Sequence, residues 1–224
     1  VNVPLKTVIT LDLNGCVLKS TGIKIYGGGL TLTDSRPTIV HKYKKNNSIR
    51  YLYEYDSPSL KILIAVDNTK YKTSIGGCRF INNTGISGGT VDWTGISGLM
   101  SGCEFINNTA SNKGGAVYAG GSILWGDPSV FKENYVSESY SYHGGAVYAG
   151  TFANTAKELI FINNKAGYGG AVYINNKNEA TFESCYFENN RAKDTTEGKS
   201  RGAAIYLDSS SSKLSLINNS ISLK

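Results

Sequence analysis

Of the side chains able to do chemistry, the chain holds 15 tyrosines but only 2 histidines and 4 cysteines. Cleaving a glycosidic bond needs two carboxyl groups converging on one face, often helped by Ca²⁺ or a neighbouring Lys or Arg. The candidates here, Asp92, Glu104, Glu133 and Glu188, fall at different positions of a repeating pattern, so they are not expected to converge. Arg79 and Glu104 share the position before a phenylalanine in successive repeats, which predicts a surface ion pair. His41 and His143 stand in segments expected to protrude. No Cys-x-x-Cys or histidine cluster suggests zinc, so neither a metal nor a cofactor is expected. Cys78, Cys103 and Cys185 each stand two residues before a phenylalanine, with Cys16 apart. Stacked about 4.8 Å apart, such thiols lie wider than the ~3.5–4.5 Å Cβ separation of a disulfide. They are expected to be free and to act as small apolar side chains.

The elements that position these groups repeat. GGAVY occurs at 114–118, 144–148 and 169–173, with weaker copies GGTVD at 88–92 and GAAIY at 202–206. Between them runs FINN (80–83, 105–108, 161–164), FKEN (131–134), FENN (187–190) and LINN (216–219). From the third residue of the first motif to the next Phe there are 15 residues (Thr90 to Phe105, Ala116 to Phe131, Ala146 to Phe161) or 16 (Ala171 to Phe187). From the closing Asn to the next Gly the distance varies: 5, 6, 10, 5 and 12. Length variation is tolerated in a solvated loop and not within paired strands, so it falls at one corner of each coil. Short β-branched runs without helical periodicity, punctuated by Gly and Asn, predict an all-β right-handed parallel β-helix.

Period-two alternation aims Val91, Val117, Val147, Val172 and Ile205 inward. The residues two later, Trp93, Ala119, Ala149, Ile174 and Leu207, follow them. Tyr118, Tyr148, Tyr173 and Tyr206 between them are expected to face solvent as a ladder on one flank, either bracing the coils or offering aromatic faces to sugars. Phe80, Phe105, Phe131, Phe161 and Phe187 stack inward. Asn83, Asn108, Asn134, Asn164, Asn190 and Asn219 mark the turn, where Asn tolerates left-handed backbone and can bond the neighbouring coil. Turn chemistry also explains the four Asn-x-Ser/Thr sequons, at Asn46, Asn82, Asn107 and Asn218.

Alternating GGA(I/V/L) and FxxN over roughly 76–220 resembles the repeats of chlamydial polymorphic membrane proteins and their relatives. The resemblance implies a surface-displayed β-helical adhesin. GGTVD, FKEN and GAAI depart from the pattern, and the C-terminal membrane barrel of those proteins is absent. The opening, ITLDLNGCVL at 9–18 and GGGLTLTD at 27–34, looks like the first coils of β-helical surface proteins common in gut bacteria.

One domain over 1–224 is expected: opening coils at 1–75 interrupted by a protruding β-hairpin at about 36–58, then repeat coils at 76–224. The ends suggest a segment excised from a larger surface protein. VNVPLKTV lacks a signal-peptide pattern and no run approaches a transmembrane span. The hairpin carries Tyr43, Tyr51, Tyr53 and Tyr55 beside Lys42, Lys44, Lys45 and Arg50. A net charge of +6 spread over 23 basic residues, with no nucleic-acid motif, fits a solvated basic surface with mild attraction to anionic glycans or cell surfaces. Nucleic acid is not an expected partner.

The long corner loop at 135–143 is rich in Tyr and Ser, the composition of adaptable recognition loops. The other long loop, 191–201, has no aromatic. Candidate binding residues are therefore Tyr135, Tyr140, Tyr142 and His143, with Tyr118, Tyr148 and Tyr173 on the flank and Tyr43, Tyr51 and Tyr53 on the hairpin. The expected function is a secreted or cell-surface, non-catalytic adhesin module contacting a host protein or glycan. The alternatives are a polysaccharide-active enzyme and a ligand-free spacer.

Overall fold

A computed structural model describes residues 2–3, 8–12, 23–26, 29–33, 37–45, 48–55, 64–67, 73–94, 98–136, 142–175, 179–193, 201–209 and 213–222. Side chains are described from residue 74 onward. Among these residues there is no helix, and every strand pairing is parallel except one. The strands stack as a β-solenoid, each coil contributing to the same ladders.

The GGAVY ladder holds register from Ile64–Asp67 through Val91–Thr94, Val117, Val147, Val172 and Ile205. The phenylalanine ladder runs Phe80, Phe105, Phe131, Phe161 and Phe187. A third ladder lies just past the recurring Asn, pairing Thr84 with Thr109, Tyr135, Lys165 and Arg191 in turn. In the opening coils Val8–Asp12 pairs with Gly29–Thr33, and Ile23–Tyr26 with Ile64–Asp67. The exception is the expected hairpin: Pro37–Lys45 and Ser48–Tyr55 pair antiparallel, setting Tyr43 opposite Arg50, Tyr51 opposite Lys42 and Tyr53 opposite Val40.

The core is columnar. Phe80, Phe105, Phe131, Phe161 and Phe187 stack with ring centroids 4.9–5.0 Å apart, all fully buried. Val91, Val117, Val147 and Val172 face inward as the alternation predicts, as do Trp93, Ala119, Ala149 and Ile174. Cys78, Cys103 and Cys185 form no disulfide and are buried in their shared column. Burial pushes the Cys103 thiol up to about 12, so at neutral pH it is protonated and inert. Cys16 lies outside the described residues.

Three columns of left-handed backbone turn each coil. One is the first glycine of each GG, such as Gly144 at φ 70°. A second holds Gly77, Gly102, Glu158, Ser184 and Asn218, and a third Asn82, Asn107, Glu133, Asn163 and Asn189. This corrects the role assigned to the recurring Asn. The left-handed residue is the one before it, while Asn83, Asn108, Asn134, Asn164 and Asn190 point inward and are buried. Each bonds a neighbouring coil: Asn108 Nδ2 donates to Asn134 Oδ1 at 3.0 Å, and Asn134 Nδ2 to Asn164 Oδ1 at 3.0 Å. The second glycine of the motif has another cause. A Cβ on Gly145 would lie 2.1 Å from the Gly170 carbonyl oxygen, so the close approach of successive coils requires its absence.

The last copy is also corrected. Leu216 pairs with Phe182, not Phe187, and it is Ile221 that continues the phenylalanine ladder. Asn219 therefore aligns with Cys185, whose amide it accepts at 2.8 Å. The Arg79–Glu104 ion pair forms at 2.9 Å, but Glu104 is buried, so the pair is less superficial than expected.

Candidate contact surface

The tight GG turn brings the residue before the first glycine back over the strand that follows. Lys113, His143, Tyr168 and Arg201 occupy that position and form a bridge ladder of their own. Each leans on the aromatic column one coil further on or beside it. Lys113 Nζ lies 4.8 Å above the Tyr148 ring. His143 stacks on Tyr173 at 4.3 Å, and Tyr168 packs on Tyr206 at 5.2 Å. Arg201 lies 5.8 Å over Tyr168, and its guanidinium donates to the Tyr206 hydroxyl oxygen.

The tyrosine ladder itself is as expected: Tyr118, Tyr148, Tyr173 and Tyr206 follow one another at 5.1, 5.1 and 5.3 Å. Its exposure is not. Tyr148 and Tyr173 are 4 % and 3 % exposed, because each ring is covered above and below by its neighbours and further by Lys113 and His143. Their ring faces are taken by one another, which leaves edges and hydroxyls at the surface. The Tyr173 hydroxyl donates to Asp208. Burial, the proximity of Tyr118 and the charge of Asp208 push the Tyr148 hydroxyl up to about 12, with its hydrogen bond to Asn175 opposing.

The long corner loop divides. Tyr142 packs on a small apolar cluster of Ala110, Val136 and Ala166, closing the corner from inside. Tyr135 is exposed on the neighbouring ladder, where it joins Asn107, Thr109, Glu133, Asn134, Asn163 and Lys165 around a shallow depression of about 560 Å³. Tyr140 lies outside the described residues, and so do the side chains of Tyr43, Tyr51 and Tyr53. The structure thus joins Tyr118, Tyr148, Tyr173 and His143 into one flank and sets Tyr135 around the corner from it. Lys113, Tyr168, Arg201 and Asp208 belong to the same flank and were not singled out from the sequence. The signal for three of them was present, since they stand immediately before a GG or GA pair.

Among the described residues no group of three or more His, Cys, Asp or Glu side chains is placed to hold a metal. Glu133 sits on an exposed corner beside Lys132 at 3.7 Å, and Glu188 accepts from the Tyr186 hydroxyl at 2.7 Å.

Neither the curated proteins nor the solved structures hold a significant match to the chain. Residues 102–120, 158–175 and 184–208 match the model of the Chlamydia polymorphic membrane protein repeat, so the solenoid is similar to that repeat over these stretches.

Proposed function

We propose that the chain is a non-catalytic, adhesin-like module of a cell-surface protein, a rigid β-solenoid that contacts a host protein or glycan through the corner between the recurring Asn and the GG turn. The repeat match supports a surface location and an adhesin-like role, because the family it belongs to is one of surface proteins. The observation that carries the contact site is the segregation of length variation. The GGAV and phenylalanine positions keep their register across the stack, with a local bulge past Ala119, while the insertions collect at one corner. A rigid frame with one variable edge is the arrangement in which loops carry recognition.

The experiment replaces 137–141 by a short Gly/Ser turn. Val136 and Tyr142 are spared because they close the corner against Ala110 and Ala166, so the coil count and core survive. Adhesion of the purified chain to host cells, and binding to host-protein and glycan arrays, should fall while the melting temperature holds. Unchanged binding would move the contact to the hairpin, and absence of any binding by the parent chain would favour a spacer.

A further inference from the structure

Charge is sorted around the solenoid. The described corner residues, 84–87, 109–113, 135–136, 142–143, 165–168, 191–193 and 201, include Lys113, His143, Lys165, Arg191, Lys193 and Arg201 and not one carboxylate. The other flank, at 126–128, 153–158, 179–184 and 213–217, carries Asp127, Glu158, Glu179 and Glu183 against Lys157 and Lys213, the latter paired with Glu179 across the ladder, while Asp208 lies beside the tyrosine ladder, where it accepts from Tyr173. The cations differ in their pairing too. Lys157 is held by Glu183 at 2.9 Å, whereas Lys165, Arg191 and Lys193 are exposed and make no ion pair with a described residue. Glu138, Asp194 and Glu197 belong to corner segments outside the described residues.

The cations are also aligned. Lys165 and Arg191 are direct partners on adjacent strands, about 4.8 Å apart. Lys113 and Arg201 are joined through His143 and Tyr168 over three strand steps, or about 14 Å along the axis. Such a line presents a positive stripe parallel to the rod. Aligned surface cations concentrate anions along them, and Arg can grip a planar or tetrahedral anion with two donors.

We propose that this corner binds a linear sulfated polysaccharide laid along the solenoid axis, a reading that rests on the adhesin function above and names its ligand. Lys113, then Lys165 one step past the His143 coil, then Arg191, Lys193 and Arg201 together on the next coil match a dense row of anions, which a sulfated glycan supplies and a polymer with a lone carboxylate per disaccharide does not. A single-stranded nucleic acid would also supply charge but gains its grip from bases stacked on open aromatic faces. Here the faces of Tyr148 and Tyr173 are occupied by each other.

The test titrates heparin, hyaluronate and single-stranded DNA against the full chain. Two triple variants of equal charge change are compared with it: Lys165→Gln/Arg191→Gln/Lys193→Gln on the corner, and Lys132→Gln/Lys157→Gln/Lys213→Gln elsewhere. All six side chains are exposed, so both variants should melt like the parent. Heparin should bind in a salt-sensitive way and more tightly than the other two polymers. The corner variant should lose about tenfold or more in affinity, from three rim-type contacts, and the second variant much less. Equal losses in the two variants, equal binding of DNA or hyaluronate, or no heparin binding by the parent chain would each overturn the proposal. Host-cell adhesion is measured in parallel. A parent chain that adheres but ignores heparin refutes this ligand while leaving the adhesin reading in place.

Discussion

At the scale of single residues, the corners hold the least comfortable conformations. Left-handed backbone suits Asn and Gly and is costly for other L-residues. The third corner column is Asn in four coils and Glu133 in the fifth, at φ 56°. The exposed Lys132–Glu133 pair at 3.7 Å gives back little. Glu133→Asn should therefore stabilise the chain by about 0.5–1 kcal/mol, read as a raised urea midpoint with an unchanged slope. The tyrosines make a second residue-level case. Burial raises Tyr148, and a hydrogen bond to Glu188 raises Tyr186, each from 10.0 to about 12. A phenol whose folded value is raised stays neutral in the fold while the unfolded chain already ionises. Its contribution is thus fully present below pH 10.0 and lost as pH climbs to about 12. Urea midpoints should fall steeply across that window, and Tyr148→Phe should make the fall shallower. An equally steep fall in that variant would mean that Tyr148 is not protected by its neighbours.

At the scale of elements, the interior Asn column ties one coil to the next. Asn134 is fully buried. Its Oδ1 accepts from the amide and the side chain of Asn108, and its Nδ2 donates to the Phe105 carbonyl and to Asn164. Asn134→Leu would strand several buried polar groups at once, at about 1–3 kcal/mol each, so a loss of about 3 kcal/mol or more in urea unfolding is expected. A loss below about 1 kcal/mol would show that water or a backbone shift replaces those bonds. The ladders themselves were legible in the sequence, because the constant distance from GGAV to Phe can be read without coordinates. What the motif did not reveal is which corner an Asn serves. At one corner Asn164 Oδ1 accepts from the Asn134 amide; the other corner mostly sets an inward Cys or Leu after its left-handed residue, yet Ser129 Oγ there accepts from the Cys103 amide in the same way. The LINN copy therefore reads like the first kind, while Asn219 acts at the second. Alternation likewise aims the tyrosines outward correctly, but says nothing of Lys113 and His143 folding back over them, since that contact arises from the GG turn.

At the scale of the whole molecule, columns in register make a rod whose sides differ. One side is mostly acidic, and the other carries the variable corner, the exposed Tyr135 and cations that make no ion pair with a described residue. The sequence showed that insertions cluster at one corner. It could not show that Lys113, Lys165, Arg191 and Arg201, spread over almost 90 positions, share that corner, because their alignment depends on loop lengths that vary. The claim that this corner is the contact face is tested most directly by lysine acetylation footprinting of the chain bound to host cells, compared with the chain free in solution. Lys113, Lys165 and Lys193 on the corner should be protected on binding, while Lys132, Lys157 and Lys213, exposed on other faces, stay labelled. Protection of Lys132, Lys157 and Lys213 with full labelling of the corner lysines would contradict the account.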